Sequence, residues 1–215
     1  MKTNLFAIAI CIAFATSGCA KTESTDEKVD ALIAKMTVQE KAGQLNQYSG
    51  FEILTGDIDD SKISERNERI KNGLLGSVLN VLGTEDVEKA QRYAVEQTRL
   101  GIPLIFAFDV IHGYRTIFPV PLAESASWDL EAIERSARIA AIEASAAGQN
   151  WTFAPMVDIS HDPRWGRVME GAGEDPYLGG KVAQARVRGF QGNDLSQPDT
   201  IAATAKHFAA YGEVI

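Results

Sequence analysis

Apolar positions along the chain alternate between two rhythms. Short unbroken runs at Gly76–Leu82 (GSVLNVL), Pro103–Phe108 (PLIFAF), Trp151–Val157 and Ile201–Ala205 predict strands. PLIFAF is apolar throughout, which predicts a strand buried on both faces. Between the runs the spacing is helical. Val29, Leu32, Ile33 and Met36 predict an amphipathic helix over Asp26–Met36. Thr37 with Glu40 (TVQE) forms a capping box that opens the next segment. A short strand is expected at Gln44–Tyr48, a loop at Phe51–Ser64 and a helix at Glu65–Asn72, ended by Gly73. Thr84 is expected to cap a helix reaching Thr98. Further helices fall at the Ala-rich Leu130–Ala147 and at Leu178–Phe190. Asp109–Ser127 and His161–Tyr177, rich in Gly, Pro and charge, read as long loops.

Strand followed by helix, repeated, predicts an α/β protein with a parallel sheet and crossover helices. A doubly wound sheet and a (β/α)8 barrel both fit that order. No Gly-x-Gly-x-x-Gly follows a strand and no Gly-Lys-Ser/Thr loop occurs, so dinucleotide and phosphate-cradle fingerprints are absent. About five strands are found where a barrel needs about eight. The 215 residues also fall short of the roughly 250 of a full barrel. A barrel present only in part, the front of something longer, is the expectation.

The N-terminus is a separate object. Lys2, the apolar run Leu5–Ala15 and the small residues Thr16–Ala20 match the three regions of an export signal. The run is shorter than the roughly 20 apolar residues of a membrane-spanning helix. Residues 1–20 are therefore expected to be a signal peptide, with 21–28 a polar tether. Ser17-Gly18-Cys19 resembles the end of a bacterial lipoprotein signal, although Thr16 stands where that pattern prefers Leu. Lipid anchoring at Cys19 and a soluble periplasmic form both remain open. Cys11 would be removed with the signal, so the mature chain holds at most one Cys and no internal disulfide.

Composition adds exclusions. Hydrophobic residues make up 45% and charged residues 23%, which are globular values. With 21 basic against 29 acidic residues, the net charge of −8 offers no broad footprint for nucleic acid.

Three polar clusters follow predicted strands, where parallel α/β proteins place ligands. Asp109 follows PLIFAF, with His112 and Arg115 behind it. Asp158, His161, Asp162, Arg164 and Arg167 follow the strand at Trp151. Lys206 and His207 follow the strand at Ile201. Each has a plainer reading: a capping Asp, a solvated DPRWGR loop with Arg on Trp165, a surface Lys-His pair. Their shared position at strand ends favours one site. A carboxylate, several fixed donors and the aromatic faces of Trp151, Trp165, Tyr177 and Tyr211 suit a neutral polyol such as a sugar ring. The basic groups alone would suit a phosphate or carboxylate. His112, His161 and His207 lie on separate segments without metal-ligand spacing, so no metal site is expected.

The runs IPLIFAFDVIHGYRTIFP, WTFAPMVDISHDPRWGRVMEGAGEDPYLG and KHFAAYG, with MTVQEKAGQL before them, closely resemble glycoside hydrolase family 3, in its periplasmic beta-glucosidase branch. The resemblance covers about Asp26 to Tyr211. It implies that 29–215 is the N-terminal part of a (β/α)8 barrel, truncated, and that the parent has further domains. It implies retaining hydrolysis of terminal beta-D-glucosyl residues, with a beta-glucoside or oligosaccharide as substrate, no cofactor, and membrane contact only through Cys19. By the same resemblance Asp109, Arg167, Lys206 and His207 bind the sugar, Arg115 contributes, and Arg164 braces its loop. The family nucleophile lies in a Ser-Asp-Trp-like motif, which is absent between Lys21 and Ile215. Nucleophile and acid/base Glu are thus expected beyond residue 215. KHFAAYG departs from the KHFPGHG of the N-acetylglucosaminidase relatives. A beta-xylosidase, a non-catalytic carbohydrate-binding scaffold and a phosphate-binding barrel enzyme are the competing readings.

Overall fold

A computed structural model of the protein describes residues 23–50 and 60–213. The expected export signal, Cys19 and most of the expected Phe51–Ser64 loop lie outside the described residues. The chain divides into two compact units, one ending at Lys35 and the other beginning at Met36. In the first, helix α1 spans Thr25–Lys35. Ser24 and Glu27 cap it reciprocally, at 3.2 Å from the Glu27 N–H to the Ser24 hydroxyl and 2.8 Å back. The helix therefore starts inside the segment read as a tether.

In the second unit, α2 (Val38–Gln44) opens on the expected capping box of Thr37 and Glu40. Glu40 also pairs with Arg99 at 2.6 Å. The Arg99 hydrogen bonds, with the Thr37 N–H adding to them, hold its carboxyl down at about 2. There follow β1 (Gln47–Ser49), α3 (Asp60–Lys71), β2 (Ser77–Leu79), α4 (Thr84–Gln97), β3 (Ile105–Phe108), α5 (Pro121–Ala126), α6 (Leu130–Ala146), β4 (Trp151–Thr152) and α7 (Pro176–Gln191).

The sheet is all parallel, in the order β1-β2-β3-β4. Residues 201–206 extend it past β4: Ala202 bridges Trp151 and Lys206 bridges Met156, both parallel. A doubly wound sheet reverses its strand order at a switch point. Here each new strand adds beside the last, which is the winding of a (β/α)8 barrel, present over five strand positions.

Register explains the core. Tyr48, Val78 and Phe106 share one row and one face. That face packs on Ile70 of α3 and on Val87, Ala90 and Ala94 of α4. A second cluster joins Ala137, Ala140, Ala141 and Ala144 of α6 to Phe190, Ala154 and Ile201. Small residues bring α6 and α7 close. A Cβ on Gly189 would lie 2.4 Å from the Glu134 carbonyl and 2.6 Å from the Ala137 Cβ. Between α5 and α7 runs a buried ion pair, Glu124–Arg186, whose Arg also donates to the Ile111 carbonyl. Burial pushes that guanidinium below its ordinary value, with the Glu124 charge opposing.

Several expectations are corrected. PLIFAF is buried on both faces only in part: Ile105 is 49% exposed, in the row of Gln47 and Ser77 opposite the helices, while Ala107 on the same face is fully buried. The Asp109–Ser127 stretch contains α5, begun by Pro121 at its first turn. Helix α3 begins at Asp60, ahead of Glu65. Helix α7 begins at Pro176 with Asp175 as its cap, ahead of Leu178. Thr84 is the first residue of α4 and not its cap; Gly83, at φ 85°, holds that position without a side-chain bond. The Trp151 strand is short because Pro155 has no N–H for the ladder.

Candidate active site

Four of the expected residues meet over the carboxyl ends of the strands. Asp109 follows β3 directly, and Asp158 closes the segment that begins with β4. Arg167 comes from the loop after it, at the start of a one-turn 3-10 helix, Val168–Glu170. Lys206 and His207 end the fifth strand position; the peptide between them is cis.

The contacts form one unbroken network. Lys206 Nζ donates to Asp109 Oδ1 at 2.9 Å and lies 3.9 Å from Glu170 Oε2. Glu170 grips Arg167 with both oxygens, at 2.6 Å from Nε and 2.7 Å from Nη2. Arg167 Nη1 lies 3.3 Å from His207 Nε2, and His207 Nδ1 lies 2.8 Å from Asp158 Oδ2. Tyr211 lies against both His207 and Arg167. Its ring meets that of His207 edge-on at 4.7 Å, with the Arg167 guanidinium 5.4 Å away and Trp165 behind it at 5.3 Å.

The electrostatics are mutual. Arg167's hydrogen bonds hold the Glu170 carboxyl below the usual carboxylate value against its burial, helped by the charges of Arg167 and Lys206. Glu170 in turn raises the Arg167 guanidinium above its ordinary value. Exposure separates the roles. Asp109 is 48% exposed and Arg167 33%, so both can touch a ligand; Asp158, at 3%, cannot.

Glu170 went unnoticed in the sequence, and its carboxylate changes the reading of the cluster. Three carboxylates (Asp109, Asp158, Glu170) now face two fixed cations (Arg167, Lys206). The mouth carries no surplus positive charge, which argues against an anionic ligand. Paired donors and acceptors beside aromatic faces suit a ring of hydroxyl groups. The missed signal was the three-residue spacing Arg167-x-x-Glu170. Asp158 was seen in the cluster, but not as the partner of His207.

Other expected residues stand elsewhere. Arg115 is not brought into the network: it is exposed, and its backbone N–H donates to Glu143 of α6 at 2.8 Å. Arg164 pairs with Asp162 beside it in the loop, as a bracing residue would. His112 Nδ1 lies 3.0 Å from the Phe118 carbonyl, and His161 lies 3.3 Å from Glu213.

Fold and cluster together define a barrel-type α/β protein with a linked polar cluster over its strand ends, the candidate site. The chain belongs to glycosyl hydrolase family 3: residues 37–215 match the family's N-terminal domain, a match that starts beside the boundary between the two units. It is 42% identical over 192 residues to a periplasmic beta-glucosidase of Salmonella typhimurium, covering 89% of this chain and 24% of that one. A beta-xylosidase from Formosa agariphila is 32% identical over 162 residues, 70% of this chain and 22% of the relative. Among solved structures, a beta-glucosidase from Listeria innocua in complex with glucose superposes with a TM-score of 0.77 at 40% identity, over 88% of this chain and 27% of that one. The chain thus spans about a quarter of the length of these relatives.

Proposed function

We propose that this chain forms the sugar-holding half of a retaining beta-glucosidase site. The observation that carries the reading is the 2.9 Å contact between Lys206 and Asp109, 97 residues apart. It supports a pocket in which Asp109 accepts from adjacent sugar hydroxyls while Lys206, Arg167 and His207 surround the same ring. Retention needs two carboxylates about 5–5.5 Å apart, a nucleophile and an acid/base, with a covalent glycosyl-enzyme between two steps. In this reading both carboxylates come from the length of the relatives that the chain does not cover. The residues here hold the ring and bend it toward the oxocarbenium-like geometry of the transition state.

The test is an aryl beta-D-glucoside assay on the protein in its full natural length. Asp109→Ala is expected to lower kcat/KM by about 100-fold or more, since it removes a charged partner of the substrate. Unchanged kinetics would remove Asp109 from the site. The Formosa relative supports a second reading, a beta-xylosidase, and the same assay with the aryl beta-D-xyloside separates the two.

The leader-like residues 1–20 and the periplasmic Salmonella relative support export to the periplasm or envelope. Anchoring through Cys19 has its own check. Labelling cells with a radioactive fatty acid should mark the wild type and not Cys19→Ser; an unlabelled wild type points to a soluble mature form.

A further inference from the structure

Asp158 is too buried to meet a ligand, yet it spends one oxygen twice on a single neighbour. Its Oδ2 accepts from the His207 backbone N–H at 3.0 Å and lies 2.8 Å from His207 Nδ1. A carboxylate only accepts, so Nδ1 carries a hydrogen. On the far side of the ring, Nε2 lies 3.3 Å from Nη1 of Arg167. A guanidinium only donates, so a hydrogen on Nε2 would point at those of Arg167. Every donor meets an acceptor in one arrangement: the neutral ring with its hydrogen on Nδ1. The Tyr211 ring packed edge-on against His207 limits rotation out of that arrangement. Arg167 is held on its other side by both oxygens of Glu170. The guanidinium is thus clamped from two sides, and the His207 side exists in only one tautomer.

We infer that Asp158 is a positioning residue: it fixes His207 as the Nδ1–H tautomer, so that the Nε2 lone pair holds Arg167 in line for the ligand. The consequence for sugar binding rests on the function proposed above; the tautomer does not. The logic is that of a buried carboxylate orienting an imidazole through Nδ1, transferred from proton transfer to ligand binding.

The experiment combines long-range 15N–1H spectra of histidine-labelled full-length protein with D-glucose titration and aryl beta-D-glucoside kinetics. The His207 signal is assigned by its loss in His207→Gln. Wild type is expected to show hydrogen on Nδ1 and a bare Nε2. Asp158→Ala should release hydrogen onto Nε2 and weaken glucose binding and kcat/KM by about 10–100-fold, the range typical of orienting partners. Asp158→Asn, whose amide oxygen can still accept both bonds, should keep the Nδ1–H pattern and most of the affinity. A wild-type ring with hydrogen on Nε2 overturns the inference, and needs no variant to fold. So does an Asp158→Ala protein that binds glucose as tightly as wild type, or one that loses binding with its tautomer unchanged. Failure of the wild type to bind glucose or cleave the glucoside would instead remove the sugar reading, while the spectra would still decide the tautomer.

Discussion

Glu170 carries the acid sensitivity of the site. Its folded value lies below the usual one of 4.5, with Arg167 as the main cause. Its contribution to stability is therefore complete above about pH 4.5 and fades as pH falls through the lower, folded value. Thermal melts of the full-length protein from pH 6 to pH 3 should show wild type losing stability along this limb, and Glu170→Gln should make it shallower, with the remaining slope coming from other lowered carboxyls such as Glu40. A variant whose Tm falls with acid as steeply as wild type would place the sensitivity elsewhere. At this scale, Asp109, Arg167, Lys206 and His207 were readable because each follows a strand, and the sheet gathers strand ends. Glu170 was not, because a one-turn 3-10 helix in a Gly-rich loop leaves no periodicity to read. Arg115 was misleading for a related reason. Its charge is visible in the chain, but two of the three Glu143 hydrogen bonds that turn its loop toward α6 are made by the backbone N–H groups of Arg115 and Thr116, which sequence pattern does not report; the third comes from the Thr116 hydroxyl.

Helix packing can be tested on two glycines of one helix. In α7, Gly189 sits against the α6 backbone, whereas a Cβ on Gly180 would meet nothing within 4 Å. Gly189→Ala should cost about 1–3 kcal/mol by forcing the helices apart. Gly180→Ala should gain about 0.5–1 kcal/mol from the lower entropy of the unfolded chain. Urea unfolding of the two variants in the full-length protein measures both; equal effects would mean that the α6–α7 contact is not tight. Element boundaries were legible where side chains cap. The Thr37–Glu40 box held, and Asp175 followed by Pro176 was a cap and first-turn pair available to be read. Helix α5 was hidden because six residues make too short a window for a 3.6-residue period. Strand lengths were overread because an apolar run persists past the point where Pro155 interrupts the ladder.

At the level of the molecule, periodicity identifies elements but not neighbours, so the sequential strand order had to come from the fold. That order leaves β1 and the 201–206 segment at the two margins of the described sheet. Ile105 is half exposed on the face away from the helices, and Phe208 is fully exposed near the site. Open margins and bare apolar groups favour association. The 215-residue chain prepared alone should elute well above its 23.3 kDa mass and bind a hydrophobic dye, despite its net charge of −8. A monomer with a sharp cooperative melt would contradict this.

The chain of contacts from Asp158 through His207, Arg167, Glu170 and Lys206 to Asp109 also bears on how the pocket can be redesigned. Substitutions inside such a circuit do not combine additively, because each member's geometry depends on the next. A library aimed at a different monosaccharide will find few improving single steps here. Variants that exchange several of these positions together, or that leave all six intact and vary the rim, offer the open evolutionary routes.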